Sequence, residues 1–525
     1  MKFNIIIIGS GLTSFITALH LSKTNNIILI TKNKLLSGAS IKAQGGIATV
    51  LKKNDTYKNH IKDTLNAGVG ICNKESVTFF IKNIKKNIKW LIKKNINFTK
   101  KNKKYHLTIE GGHSKRRIIH IKDNTGLKIQ KNLKKKIKKK KNILLLKKHF
   151  LIDIIITKIK NKKIKCIGIK VLNIKNNKII NIYSNNIILT TGGIGNIYAH
   201  TSNSNSSTGD GIAIAARAKC RIVNMEFMQF HPTCLYKNKY KRKLLISEAL
   251  RGEGAILTIP KNIINNIFNS SRFMYKYSKK LELAPRDIVT RAINNEMKNL
   301  KLNFLNLDIS HKNSFFIKKY FPYIYKNCLL HKINITKEPI PIIPAAHYIC
   351  GGILTNTFGC TDIIGLYAGG ETTFTGLHGS NRLASNSLLE CLVSGYNIYK
   401  YIKKKKNYKS KNLFYNNIYI NKIFKKKKIF KIKNNLRLLM WKNVGIIKTI
   451  YKLLLTKKYI FFLNKKINIY FLKNKISKII LELRNLIKIS FIIIKSALNR
   501  KESRGAYYIN NYPKISNIKI NTIIK

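Results

Sequence analysis

Acid is scarce in this chain. Against 102 lysines and arginines stand 20 aspartates and glutamates over 525 residues, a formal net charge of +82. Long apolar runs are missing as well: no stretch reaches the roughly 18 uninterrupted residues of a membrane-spanning helix, so no span is expected. The opening MKFNIIIIGSG has too short an apolar run for a secretory leader and enters a glycine turn where a leader has small residues for cleavage, so it is read as a first β-strand. Cys72, Cys166, Cys220, Cys234, Cys328, Cys350, Cys360 and Cys391 form no CxxC pair and no cluster with histidine at ligand spacing. Neither a metal site nor a disulfide framework is expected, which suits a reducing cytoplasm. No internal repeat is visible.

The charge would ordinarily indicate a nucleic-acid partner. Here the excess lies in lysine, accompanied throughout by isoleucine and asparagine, the residues with the most A and T in their codons. The lysines fall in runs, Lys134 to Lys141 interrupted by Ile137, Lys403 to Lys406 and Lys425 to Lys428, without the interleaved aromatics of a single-strand stacking platform. Solvated faces are the expectation, with no specific nucleic-acid partner; nonspecific polyanion binding at low salt is a side effect of such charge.

From Lys2 to Ile30 the pattern is strand, glycine turn, helix, strand, as FNIIIIG, SGLTSFITALHLSK and NIILI. After a lysine-rich stretch, NNIILTTGGIG (Asn185 to Gly195) gives a second strand and glycine turn. Glu226 to His347 carries short helical stretches and isolated polar residues, and Ile353 to Gly395 returns to glycine-rich strand-turn-helix sequence. Beyond about Tyr401 glycine nearly vanishes and apolar residues recur at helical spacing. The fold class expected is α/β: a Rossmann-like domain (1–224 and 349–400) interrupted by an α+β capping domain (225–348) and followed by a C-terminal helical domain (401–525).

Gly9, Ser10, Gly11, Leu12, Thr13 and Ser14 lie between strand and helix, where missing Cβ atoms let backbone approach a pyrophosphate. Alone the motif is weak, since Ser14 stands where a third glycine is usual and strand two ends in Thr31-Lys32 with no acid for a ribose. An ordinary tight turn explains it equally well. Ala43-Gln44-Gly45-Gly46, Thr190-Thr191-Gly192-Gly193, Thr208-Gly209-Asp210-Gly211 and Ala368-Gly369-Gly370-Glu371 each set glycine beside a polar residue, as a long dinucleotide lying across backbone requires.

These segments, in this order, resemble the flavoprotein family of succinate dehydrogenase, fumarate reductase and L-aspartate oxidase, and the resemblance covers nearly the whole chain. It is carried by YHLTIEGGHSKRRIIH (Tyr105 to His120), EFMQFHPTCLY (Glu226 to Tyr236), SEALRGEGA (Ser247 to Ala255), ELAPRDIVTRAI (Glu282 to Ile293), EPIPIIPAAHYICGGI (Glu338 to Ile353), GLHGSNRLASNSLLECLVSG (Gly376 to Gly395), LRLLMWKNVGIIKT (Leu436 to Thr449) and RKESRGAYY (Arg500 to Tyr508). Within the family the L-aspartate oxidases are the most similar. Ala39 occupies the position where the membrane-complex flavoproteins carry a flavin-linked histidine, so the resemblance implies noncovalent FAD.

The resemblance implies oxidation of L-aspartate to iminoaspartate by hydride transfer to FAD, with O2 or fumarate as acceptor and hand-over of the product to quinolinate synthase on the way to NAD. A succinate dehydrogenase or fumarate reductase type of flavoprotein is the alternative. Arg286, His231, His347 and Glu110 match catalytic positions. Arg382 and Ser247, with the two histidines, match positions that hold carboxylates, and Glu110 matches a glutamate facing the substrate ammonium. Glu248, Arg251 and Glu253 are candidates for a proton relay. FAD contacts are expected from Gly9, Ser10, Gly11, Leu12, Thr13, Lys32, Ser40, Gln44, Gly45, Gly46, Thr191, Gly192, Gly193, Asp210, Glu371, Ser385, Asn386, Ser387 and Leu388. Taken singly, each has a plainer reading: Glu110 as a turn cap beside Gly111-Gly112, Arg286 as the ion-pair partner of Asp287 or Glu282, the histidines as core residues. Ile109 and Lys442 depart from the family pattern without removing a residue assigned to chemistry.

Overall fold

The computed structural model describes residues 3–159, 163–236, 243–260, 271–405, 426–472 and 476–525. Along the chain come β1 (Ile5–Ile8), α1 (Leu12–Leu21), β2 (Ile27–Thr31), β3 (Ile143–Lys147), β4 (Ile187–Leu189) and α2 (Asp210–Arg217). There follow β5 (Met228–Leu235), β6 (Ile256–Thr258), α3 (Arg286–Asn299), β7 (Leu305–Asp308), α4 (Ser314–Tyr320), α5 (Pro322–Leu329) and β8 (Ile340–Ile349). The chain continues through β9 (Leu366–Ala368), α6 (Asn386–Lys404), α7 (Lys426–Val444), α8 (Ile450–Leu472) and α9 (Lys478–Asn499).

The first sheet is parallel throughout, in the order β9-β4-β1-β2-β3. Its central strands read IIII, IILIT and IIL because a parallel sheet is covered on both faces and has no solvent side to take polar residues. Side chains alternate between faces. Ile6, Ile8, Ile28, Ile30, Ile187 and Leu189 join a core with α2 and the C-terminal helices, while Ile5, Ile7, Ile27, Leu29 and Ile188 pack with α1 on the other side. The sequence between β4 and β9 forms a second, antiparallel sheet, β5-β8-β7-β6, whose strands β6 and β7 pack with α3, α4 and α5 around their own core.

Among the described residues of the C-terminal region, α7, α8 and α9 carry the chain to Asn499, and the tail from Arg500 is not helical. Ile523–Ile524 adds an antiparallel edge to Val223 and Ile222. Arg500 anchors this return, pairing with Glu226 and Glu502 at 2.6 Å each. Of the lysine runs, Lys406 and Lys425 lie outside the described residues; in the first, Lys135 and Lys138 to Lys141 are exposed. No helix among the described residues is long and apolar enough to cross a membrane.

Candidate active site

A cleft of about 1750 Å³, counting its open mouth, runs from the carboxyl ends of β1 and β2 to the antiparallel sheet. At one end the chain leaves β1 through Gly9, whose φ of +128° brings it against the carbonyl of Thr190, where a Cβ would overlap backbone. Ser14, in the place of a third glycine, turns its hydroxyl to Thr190 Oγ1 at 2.8 Å, so it ties helix to strand. The first turns of α1 and α6 both face the cleft; neither is capped by its own N-cap residue or has an acid there, and only the Leu12 N–H of α1 reaches a side chain, Ser40 Oγ at 3.4 Å. Two helix starts with free N–H groups at one cleft form a cradle for an anionic, phosphate-bearing group. Lys32 follows β2 in the usual place of a ribose-binding acid. It pairs with Asp210 at 2.7 Å and Glu482 at 3.3 Å; burial alone would lower its pKa, but these two acids hold it above the ordinary lysine value. Glu371 lies half-buried opposite Gly193, and desolvation pushes its pKa up to about 8. These features fit FAD.

At the other end the charged residues converge. Arg286 begins α3 and donates to Glu248 Oε2 at 2.5 Å and to Gln229 Oε1 at 3.1 Å. The plainer pairings do not form: Asp287 holds Arg291, and Glu282 holds Arg272. Arg382 lies over the ring of Tyr348 at 4.3 Å, and its buried Nε has no partner. Burial, and then Arg286, lower its pKa. His231 on β5 and His347 on β8 face one another with ring centroids 5.1 Å apart. Burial and the adjacent Arg286 keep both well below the ordinary histidine pKa, so both are neutral. His231 Nδ1 lies 3.1 Å from the carbonyl and 3.2 Å from the N–H of Thr233, and Ser202 Oγ lies 2.8 Å from His347 Nδ1.

Glu110 accepts a hydrogen bond from Ser385 Oγ at 2.6 Å and is 3% exposed. Its pKa is raised, by burial first and then by Glu248. Burial would raise Glu248 too, but Arg286 and Arg251 hold it below the ordinary carboxylate value. The two carboxylates therefore divide: Glu248 is the anion of an arginine pair, and Glu110 is an acid that ionises at a cost unless a cation arrives.

Glu110, His231, Ser247, Glu248, Arg286, His347 and Arg382 all line this cleft, together with Gly9, Ser10, Gly11, Leu12, Thr13, Lys32, Ser40, Gln44, Gly45, Gly46, Thr191, Gly192, Asp210, Glu371, Ser385, Ser387 and Leu388. Ala39 is in its wall. Four expected residues are elsewhere. Gly193 packs on Glu371 outside the lining, and Asn386 turns to His60 and Thr64. Arg251 is buried behind Glu248 at 3.1 Å, and Glu253 pairs with Arg116 at 2.9 Å beside a different cavity. Sequence reasoning missed Tyr348 beneath Arg382 and Gln229 beside Arg286. Gln229 stands two residues before His231, a spacing that could have drawn notice, whereas nothing in the sequence marks Tyr348.

Residues 4–388 match the FAD binding domain family, and residues 433–520 match the fumarate reductase flavoprotein C-term family. The chain is 42% identical over 521 residues to L-aspartate oxidase 1 of Ralstonia nicotianae, covering 98% of this chain and 96% of that one. It is 36% identical to the chloroplastic L-aspartate oxidase of Arabidopsis thaliana, covering 99% and 83%. Among solved structures, an E. coli quinol fumarate reductase chain superposes with a TM-score of 0.83 at 23% identity, covering 100% and 94%, which bears on the fold alone.

Proposed function

The chain belongs to the L-aspartate oxidase family of FAD-dependent oxidoreductases, and from that premise we propose that it oxidises L-aspartate to iminoaspartate, with the cleft residues in the following roles. The observation that carries the reading is Arg382, a buried guanidinium whose Nε has no protein partner, set in the same cavity as Arg286 and Glu110. A buried arginine without an anion is costly, and a dicarboxylate relieves that cost.

Arg382 and Arg286 hold the carboxylates, since the guanidinium fork matches a planar carboxylate better than an ammonium does. Ser247 and the neutral histidines offer polar contacts without adding charge. Glu110 takes the substrate ammonium, which restores the ionised form that burial disfavours. Succinate brings no cation there, so it meets either an anion or a desolvated acid. Arg286, braced by Glu248 and backed by Arg251, is the group that exchanges a proton with the substrate. Bound FAD supplies the hydride acceptor, held noncovalently because Ala39 offers no nucleophile at the cleft wall.

On the same reading, 1–224 with 349–400 binds FAD, 225–348 caps the substrate and 401–525 braces the sheet. Electrons leave to O2 or fumarate, the product passes to quinolinate synthase for NAD synthesis, and the work is done in the cytoplasm. An aerobic peroxide assay with L-aspartate, D-aspartate, L-glutamate and succinate tests the proposal: turnover is expected with L-aspartate and not with succinate, and equal rates with both would sink it.

A further inference from the structure

Beside the cleft lies a second cavity of about 710 Å³. One wall comes from the first sheet's side of the molecule, through His106, Thr108, His120 and Asp123; the other comes from the inserted sheet's side, through Ala249, Glu253 and the aromatic residues of α4. The two cavities share Gln44, Gly45 and Ser247. They meet at the charged end of the cleft, because a Cβ on Gly45 would strike the Glu110 carboxylate. Lys101 and Lys122 line the cavity and are exposed, so it reaches solvent.

Its lining mixes polar and aromatic side chains and carries little free charge. His120 donates from Nδ1 to the carbonyl of Lys122 at 2.9 Å, which leaves Nε2 to accept from His106 Nδ1, also at 2.9 Å. Burial lowers the pKa of both, so the pair is neutral. Glu253 is spent on Arg116, whereas Asp123 gives one oxygen to the N–H of Ile324 and leaves its buried Oδ1 without a partner among the described residues, so this acid, raised by burial to about 6, is an anion in the wall at neutral pH. Gln44 donates to the carbonyl of Leu245, but its buried Oε1 has no partner at the wall the cavities share.

We propose that this cavity is the passage by which the amino dicarboxylate reaches the cleft and the imino product leaves it; the proposal rests on the function argued above. A cationic mouth draws in a species with two carboxylates, and a lining whose only cations among the described residues are Lys101 and Lys122 at that mouth, with Asp123 as an anion in its wall, does not retain it. Gln44 Oε1 at the junction offers the ammonium a first acceptor before Glu110.

The test compares Thr108→Phe, which fills the passage without touching the cleft lining, with Thr108→Ser and with the double variant Lys101→Glu/Lys122→Glu. Each is purified with its FAD, and the flavin absorbance per chain reports folding and cofactor retention. For Thr108→Phe, FAD content is expected to be unchanged and kcat/KM for L-aspartate to fall about tenfold or more. Reoxidation of the photoreduced flavin by O2, which is small and uncharged, should keep its rate, and Thr108→Ser should behave as the parent. The lysine reversal should lower kcat/KM at low salt by a few-fold, with kcat intact, and lose its effect near 1 M salt, where the Debye length is about 3 Å. A parent that retains FAD yet ignores L-aspartate overturns the function and the passage together. A parent that turns L-aspartate over while the Phe and Glu variants match its kcat/KM overturns the passage alone.

Discussion

Glu110, which is buried, and Glu371, which is half-buried, are both acids held above the ordinary carboxylate pKa, yet they call for different experiments. Glu110 faces the arginines, and its carboxylate earns its place when an ammonium sits against it. Glu110→Gln keeps a side chain able to accept from Ser385 but removes that charge-assisted contact, worth about 2 kcal/mol. Steady-state kinetics should show kcat/KM for L-aspartate down roughly thirtyfold and fumarate reduction spared; undiminished L-aspartate turnover would remove Glu110 from its role. Glu371 is read through stability. Its folded pKa of about 8 lies above the ordinary 4.5, so its contribution is fully present below pH 4.5 and is lost as pH rises toward 8. In thermal denaturation of FAD-free protein, Glu371→Gln should gain on the parent steadily between pH 5 and 8 and run parallel above that. Curves parallel over the whole range would refute the assignment. At this scale the sequence revealed which side chains face the cleft only as an ordered set on family-like segments. Spacing could not place Arg382 over Tyr348, 34 residues earlier, because that contact is made by the meeting of β8 with the loop before α6.

Among the elements, α5 shows how the inserted sheet is joined to the rest. Asp123, just before the helix Thr125–Lys138 that packs on α1, accepts the N–H of Ile324 at 2.9 Å in the first turn of α5, and Tyr323 beside it lines the cleft. Burial raises Asp123 to about 6 from an ordinary 3.8, the Ile324 N–H pulling the other way. The carboxylate therefore costs stability progressively as pH rises from about 4 to 6. Asp123→Asn keeps the acceptor and buries no charge. It should gain up to about 3 kcal/mol on the parent at pH 7 and nothing at pH 4, measured by urea denaturation; Asp123→Ala, losing the cap, should cost about 1 kcal/mol relative to Asn. A pH-independent difference between Asn and parent would count against the buried carboxylate. Elements of this kind were unevenly legible. The runs at Ile5 to Ile8 and Ile187 to Leu189, each entering a glycine turn, declare buried parallel strands because alternation is lost when both faces are covered. The edge formed by Ile523–Ile524 declares nothing, since its partner lies some 300 residues away and two residues carry no period.

For the whole molecule, charge is the property that composition made most visible and that pairing does least to relieve. Arginine supplies most of the ion pairs at depth: Arg117 with Asp55 and Asp63, Arg286 with Glu248, Arg500 with Glu226 and Glu502. With 20 acids against 102 bases, most lysines must face solvent beside other lysines, and their mutual repulsion favours any expanded state. Salt should therefore stabilise this fold. As the Debye length shrinks from about 10 Å at 0.1 M to about 3 Å at 1 M, the thermal midpoint should rise by several degrees with sodium chloride, a salt with little stabilising effect through exclusion. The same field should bind heparin and mixed-sequence RNA alike at low salt and release both as salt rises, with FAD content unchanged, because counterion release makes no distinction of sequence. A midpoint indifferent to salt would mean that the lysines do not repel one another enough to weaken the fold, and RNA held at physiological salt in preference to heparin would mean that the lysines form a specific site.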